Sequence, residues 1–405
     1  MSPSLQHIGS GVITTVTAAG LACSASAQEQ SQLELRTGVV FATNPFQSIN
    51  DDADSFAVSV EAIPQVTWET ERTAVTFDGR LRYEEWLEDY DSDLFALARL
   101  SLTNQASETL ELFGSASFET TERALAGLST DSLDPTVPTL PGANDLADDA
   151  IFGAGIRRDT AAASFGGQKS LSATQAIRAE GSSQFNWFGE GGFDYRTLQF
   201  DLQYLQNVSP TVEWTIGGQV AQSDFFGQER GDGVFAGVMT GARIQVSPTG
   251  SLGASAGVAF ASVDTGIEGA KDKGEYFIAS FDYCEELIRG QLCAVASRES
   301  RPTTIGGASI VNSAGLSWNR TFDEGESFSL NARYGDTKAS LAAFDLEELQ
   351  ETSFVAASAY YATPITERLG LYVAPSALLL LDNPFDRGDN YQISVGLSYR
   401  FGRQR

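Results

Sequence analysis

The sequence predicts an all-β protein, a single transmembrane antiparallel up-and-down β-barrel. Segments of about ten residues alternate apolar and polar side chains. Short polar turns and longer acidic connections follow these segments in turn. Outside the N-terminus, no run of about 18 apolar residues is available to form a membrane helix. Together these features are typical of a protein that crosses a membrane with strands.

The last predicted strand, YQISVGLSYRF, shows the alternation clearly. Its large apolar side chains are Tyr391, Ile393, Val395, Leu397, Tyr399 and Phe401. A period of two places them all on one face, which would meet lipid while the polar face meets the lumen. Because an unpaired sheet edge is not tolerated in hydrocarbon, we expect this strand to close on the first.

Repeated hairpins give the strand count. The segment 198–204, the turn 207–210 and the strand that follows form one unit, and the same unit recurs over 94–118 and 234–260. The other connections are longer and acidic, as in the stretch 122–149. We predict about eighteen strands, with sixteen as the alternative, short periplasmic turns and long acidic extracellular loops.

Soluble β architectures are the alternative for such a chain. A propeller would show a repeat of about 40–50 residues, and none is present. A large sandwich would not need connections that are so consistently unequal at its two ends. The sequence therefore favours the barrel.

The N-terminus predicts a signal peptide over residues 1–27, followed by the barrel over 28–405. Residues 8–22 are small, apolar and uncharged, and Ala25-Ser26-Ala27 fits a cleavage site, although no Lys or Arg precedes them. Export would leave Cys284 and Cys293 as the two remaining thiols. In an oxidising compartment they could pair across a hairpin or stay free.

Composition excludes several classes of function. The 405 residues include 53 Asp and Glu against 26 Lys and Arg, a net charge of −27, which argues against a nucleic-acid partner. The single histidine, His7, lies in the predicted signal peptide, so the mature chain lacks the usual general base and metal ligand. We expect no enzyme activity, no cofactor and no metal.

Two acidic runs, 50–54 and 88–93, offer oxygen atoms of the kind that Ca²⁺ prefers. Neither run has the spacing of an EF-hand loop. We interpret them as solvated loop tips that keep the surface anionic.

Charged side chains on the polar face of the strands predict the lining of the lumen. These candidates are Asp78, Arg80, Arg82, Arg99, Arg157, Asp201, Arg243 and Arg333. Arginine is costly on a lipid face, which favours the inward placement. The arginines would form a basic constriction selecting anionic solutes or uronate-bearing polymers. Alternatively, and slightly favoured, they would pair with carboxylates and brace the wall.

Aromatic residues near predicted strand ends indicate membrane-interface girdles. Trp68, Trp214 and Tyr399 would lie at the periplasmic side, and Trp86 and Tyr90 beside a long loop.

Three stretches carry a family resemblance: the strand 33–46, which ends in Thr-Asn-Pro-Phe, the strand 82–86 with Arg-Tyr-Glu-Glu-Trp, and the end 396–401. They resemble an outer-membrane β-barrel porin family found beside exopolysaccharide and capsule genes. The resemblance implies a pore-like protein that serves polysaccharide export with other export components. Tyr399 and Phe401 also resemble the C-terminal aromatic signal read by the barrel-assembly machinery, although four residues follow Phe401 here.

The sequence therefore predicts a porin-like channel in the outer membrane of a Gram-negative bacterium, surrounded by its lipids and lipopolysaccharide. It would pass small solutes or an anionic exopolysaccharide. The alternative is a structural or adhesive barrel whose lumen is plugged, for example by the segment 122–149. A TonB-dependent receptor is not expected, because no plug domain precedes the predicted strands.

Overall fold

A computed structural model describes residues 28–46, 53–87, 90–121, 157–189, 194–227, 231–264, 271–302, 307–323, 325–342, 351–382 and 388–402. The predicted signal peptide, the segment 122–149 and parts of both acidic runs lie outside these ranges. Within them, no helix is long and apolar enough to cross a membrane.

The described residues form eighteen strands in one sheet. In chain order they are β1 (Gln28–Thr43), β2 (Asp54–Glu69), β3 (Thr73–Trp86), β4 (Asp93–Ser107), β5 (Leu110–Thr121), β6 (Arg158–Ser172), β7 (Gln175–Phe188), β8 (Tyr195–Ser209), β9 (Val212–Phe225), β10 (Gly233–Gln245), β11 (Gly250–Asp264), β12 (Lys271–Leu287), β13 (Gly290–Pro302), β14 (Gly307–Thr321), β15 (Ser327–Ala342), β16 (Glu351–Pro364), β17 (Leu369–Asp382) and β18 (Asn390–Phe401). Each strand pairs antiparallel with the next, which confirms the predicted fold class and strand number.

The sheet closes through β1, which pairs with β2 on one side and with β18 on the other. The closing register runs from Leu33 opposite Phe401 to Thr43 opposite Tyr391. No strand edge is left open among the described strands, as a barrel in hydrocarbon requires.

The two faces of the strands sort as the alternation predicts. In β2, Phe56 and Val58 are exposed on the outer face, whereas Ser55, Ala57 and Ser59 are buried on the inner face. The same alternation continues along β18. The three girdle candidates Trp68, Trp214 and Tyr399 are all exposed on the outside. The exterior is therefore apolar with aromatic rings near the strand ends.

The connections at the two ends of the barrel differ in length. At one end, tight turns such as 108–109, 173–174 and 210–211 join the strands, whereas 44–53 and 122–157 are among the connections at the other. A repeated Ser-x-Thr sequence shapes the tight turns. The hydroxyl of Ser209 accepts the Thr211 N–H at 3.3 Å, and that of Ser247 accepts the Thr249 N–H at 3.2 Å.

Cys284 and Cys293 lie directly opposite each other on β12 and β13, with Cα atoms 4.1 Å apart, and they form a disulfide. Of the two states that the sequence left open, the structure shows the bonded one. The pair lies on the inner face, where Cys293 is fully buried.

The prediction that Trp86 lies in an interface girdle beside a long loop is wrong. Trp86 is buried on the inner face, where its ring and that of Tyr90 pack against Phe46 at centroid distances of 6.0 and 5.2 Å. The loop base that carries Phe46 turns at Asn44, whose φ of 43° is left-handed, and the Asn44 N–H donates to the Ala53 carbonyl. The end of the β1–β2 hairpin thus covers part of the inner wall.

Candidate functional site in the barrel lumen

One side of the inner wall carries a network that we call the arginine–glutamate cluster. Its members are Glu34, Arg36, Glu61, Arg80, Arg82, Glu84 and Arg400. Antiparallel register brings them together, because Arg36 lies opposite Glu61 and Glu34 lies opposite Arg400. The cluster spans β1, β2, β3 and β18.

Arg36 occupies the centre of the cluster. Its Nε donates to Glu34 Oε1 at 2.7 Å, and its Nη1 lies 3.6 Å from Glu61 Oε2. The guanidinium carbon lies over the rings of Tyr360 and Tyr372, 4.9 and 5.7 Å from their centroids. Ion pairing and cation–π contact therefore hold this arginine at once.

The remaining arginines attach to the same carboxylates. Arg80 donates to Glu61, and the Arg400 Nε donates to Glu34 Oε2 at 2.8 Å. Arg82 Nε lies 3.3 Å from Glu84 Oε1. Apart from Arg400, the members of the cluster are buried. This geometry favours the bracing interpretation for Arg80 and Arg82, because paired and buried guanidinium groups offer little positive surface to a solute.

The opposite side of the lumen carries more exposed pairs. Arg178 Nη2 lies 3.1 Å from Glu180 Oε2, and Arg243 Nη2 lies 3.7 Å from Asp282 Oδ2. Asp201 lies opposite Glu180 in the register and accepts a hydrogen bond from Gln199. These side chains, rather than the buried cluster, expose charge to the lumen.

A cavity of about 460 Å³ lies in the lumen between the inner faces of β5 to β10 and those of β12 and β13. We call it the serine–glutamine cavity after its lining side chains: Ser115, Ser164, Ser182, Gln184, Thr197, Gln199, Gln219 and Ser280. Phe235, Met239 and Ile278 add apolar surface, and Arg301 and Glu299 add charge. Such a mixture of neutral polar and apolar groups is common in small-solute sites.

Seven of the eight predicted lumen residues lie on the inner face by strand register: Asp78, Arg80, Arg82, Arg99, Asp201, Arg243 and Arg333. Asp78 and Arg99 lie directly opposite each other on β3 and β4. The predicted residues do not form one ring, because they are divided between the arginine–glutamate cluster and the more open walls.

Arg157 is the exception and requires a correction. It precedes β6, its side chain is 53% exposed, and its Nε lies 3.2 Å from Asp159 Oδ1. It shares its parity with Phe165, which is exposed on the outer face. The next residue, Arg158, is the one that is buried on the inner face, with Nη2 3.7 Å from Glu119 Oε1. A shift of one residue at a strand start exchanges the two faces.

Sequence reasoning did not select Arg36, Glu61, Arg178 or Arg301. Each has the parity of the inner face in its strand. A complete parity assignment for every strand would have found them. Their burial and partners, however, depend on register between strands, which one sequence does not reveal.

No family model and no curated protein matches the sequence. Among solved structures, the siderophore receptor PirA from Pseudomonas aeruginosa matches with 10% identity and a TM-score of 0.42, over 93% of this chain and 81% of that chain. OccK2 (OpdF) from P. aeruginosa, in complex with glucuronate, matches with 12% identity and a TM-score of 0.43, over 93% and 99% of the two chains.

A BenF-like porin from Pseudomonas fluorescens Pf-5 matches with 9% identity and a TM-score of 0.43, also over 93% and 99% of the two chains. Similarity at this level carries no argument about function. Its function has to be inferred from its own residues.

Proposed function

We propose that this chain is a porin-like channel of the Gram-negative outer membrane, a passive conduit for small hydrophilic solutes. One observation carries the proposal: the closed barrel is apolar on its outer face and holds charged and hydrogen-bonding side chains on its inner face. A barrel of this polarity belongs in a lipid bilayer with solvent inside. The short turns then face the periplasm and the longer connections face outward.

Transport in this proposal is diffusion without chemistry. A solute passes the exposed pairs Arg178–Glu180 and Arg243–Asp282, whose opposite charges give weak selectivity between anions and cations. An anionic exopolysaccharide is the finer substrate hypothesis, and it is supported by the sequence resemblance. It would add polysaccharide-export components to the proposed partners, beside lipopolysaccharide and the barrel-assembly machinery.

A structural or adhesive barrel with a closed lumen is the second candidate. Two packed groups favour it. The arginine–glutamate cluster is buried against Tyr360 and Tyr372, and the rings of Phe46, Trp86 and Tyr90 pack on the inner wall. Side chains that fill the lumen in this way would reduce the cross-section available to solutes.

Planar-bilayer recording with the refolded protein distinguishes the two candidates. The channel predicts steady single-channel conductance, with a reversal potential near zero in a salt gradient. Arg243→Ala should shift the reversal potential in the direction that indicates preference for cations, because the Arg243 guanidinium is exposed to the lumen. A correctly folded, heat-modifiable barrel that conducts no current would overturn the channel and favour the structural role.

A further inference from the structure

Arg301, near the end of β13, is a lumen arginine with few partners. Its side chain is only 12% exposed, and among the described residues none of its three guanidinium nitrogens has a hydrogen-bond partner. The nearest carboxylate is that of Glu299, whose Oε2 lies 4.0 Å from Arg301 Nη1 on a side chain that is half exposed. A buried cation in this state is costly unless an anion or water completes its hydrogen bonds.

Arg301 faces the serine–glutamine cavity, so its unused hydrogen-bond donors are available there. Arg301 lies opposite Ser309, which is buried on the inner face of β14, and it is part of the cavity lining. By contrast, Arg298 on the same strand lies opposite Ala279 on the outer-face parity, and it donates to the side chain of Asn312 at 2.7 Å. Arg298 also contributes to the cavity lining, but its Nε and Nη1 already donate to the Phe277 carbonyl and to Asn312. Among the described residues, the guanidinium of Arg301 has no hydrogen-bond acceptor, so it is the one available to a solute in the lumen.

Apart from Arg298, Glu299 and Arg301, the cavity lining is uncharged and rich in hydrogen-bonding groups. Hydroxyls such as Ser182 and Thr197 both donate and accept, and so do the amides of Gln184 and Gln199. Such a wall matches a solute with several hydroxyl groups, whereas the Arg301 guanidinium matches one carboxylate through two parallel hydrogen bonds. The cavity volume of about 460 Å³ is in the range of small-molecule sites.

We propose that the serine–glutamine cavity binds a polyhydroxylated carboxylate, a sugar acid of the uronate class, with its carboxylate on Arg301. This inference rests on the proposed channel function and names the solute class of the same lumen. A neutral sugar would leave Arg301 unpaired, and a simple carboxylate would leave the hydroxyl and amide wall without a partner. Glu299 competes for the guanidinium, and its negative charge weakens binding.

Binding is measured by calorimetry on the refolded full chain in detergent, with D-glucuronate, D-glucose and acetate as probes. Glucuronate should bind at least tenfold more tightly than either of the others. Arg301→Gln should weaken glucuronate binding by about tenfold to a hundredfold, the range for a lost charge-assisted hydrogen bond. Arg301→Lys should retain part of the affinity, and Glu299→Gln should increase it.

Arg157→Gln is the matched control, because it makes the same change at an exposed arginine that precedes β6 and does not line this cavity, and it should leave glucuronate affinity unchanged. Equal affinity of the wild type and Arg301→Gln would overturn the inference, and so would equal binding of glucose and glucuronate. If Arg301→Gln fails to fold, the glucuronate affinities of Arg301→Lys and Glu299→Gln still test the inference. A conducting channel without glucuronate affinity refutes the cavity alone, whereas a folded barrel without conductance refutes the channel.

Discussion

Replacing Glu61 by glutamine should destabilise the barrel by about 2–4 kcal/mol, although the shape of the side chain is kept. Glu61 is only 7% exposed, accepts a hydrogen bond from Arg80 and lies 3.6 Å from Arg36. Breaking a buried ion pair from one side costs about 3–5 kcal/mol, because the other charge stays buried. The estimate lies somewhat lower because Arg36 keeps Glu34 and the new amide oxygen still accepts a hydrogen bond.

The assay is urea unfolding in detergent, followed by tryptophan fluorescence and by the mobility shift of the unheated barrel. Glu180→Gln is the matched control, since it makes the same chemical change in a pair that is 44% and 29% exposed. Exposed pairs contribute about 0–1 kcal/mol, so this control should unfold almost like the wild type. The reasoning is refuted if both variants lose the same small amount of stability.

Three further predictions concern the wall and its rim. Cys284→Ser with Cys293→Ser should lower the unfolding free energy by up to about 2–3 kcal/mol, and dithiothreitol should reproduce the loss only in the wild type. Gly38→Ala should hinder closure of the barrel, because a Cβ there would lie 2.6 Å from the Val395 carbonyl and 2.7 Å from the Tyr372 hydroxyl. A normal yield of heat-modifiable barrel would contradict this. Burial raises the pKa of Asp232, in the β9–β10 connection, and nearby carboxylates add to the effect. Ionisation of Asp232 therefore destabilises the folded state, so Asp232→Asn should be more stable than the wild type above that raised pKa. At pH about 3, Asp232 is protonated in both the folded and the unfolded wild type, and the two proteins should be equally stable. Urea midpoints across pH test this.

Much of the fold could be predicted from sequence because lipid on one side and solvent on the other enforce a period of two. The alternation in β18 predicted the closure, and the repeated hairpins predicted about eighteen strands, before any register was known. The inward parity of Arg80, Arg82 and Arg243 followed from the same rule. These positions lie well inside their strands, where the parity is unambiguous.

The errors lie where strands begin or end. Arg157 and Arg158 are adjacent, and the start of β6 decides which of them faces inward. Trp86 was assigned to an interface by its closeness to a loop, although it shares its parity with Arg82 and Glu84. The exposure of an arginine is harder still to predict. Arg80 and Arg243 have the same parity and type, yet neighbouring strands bury one and leave the other exposed.

The salt bridge between Glu34 and Arg400 joins residues 366 positions apart and crosses the contact between β1 and β18. The first of the described strands therefore receives one of its ion pairs from the last of them. Until β18 pairs with β1, the Glu34 carboxylate lacks Arg400, and the edge of β1 that does not pair with β2 has no hydrogen-bonded neighbour. Contacts at such sequence separation form slowly. A chain that ended at β17 would keep most of its hairpins but could not close the barrel. The stability of the fold therefore depends on closure by all of the strands and not on any subset of them.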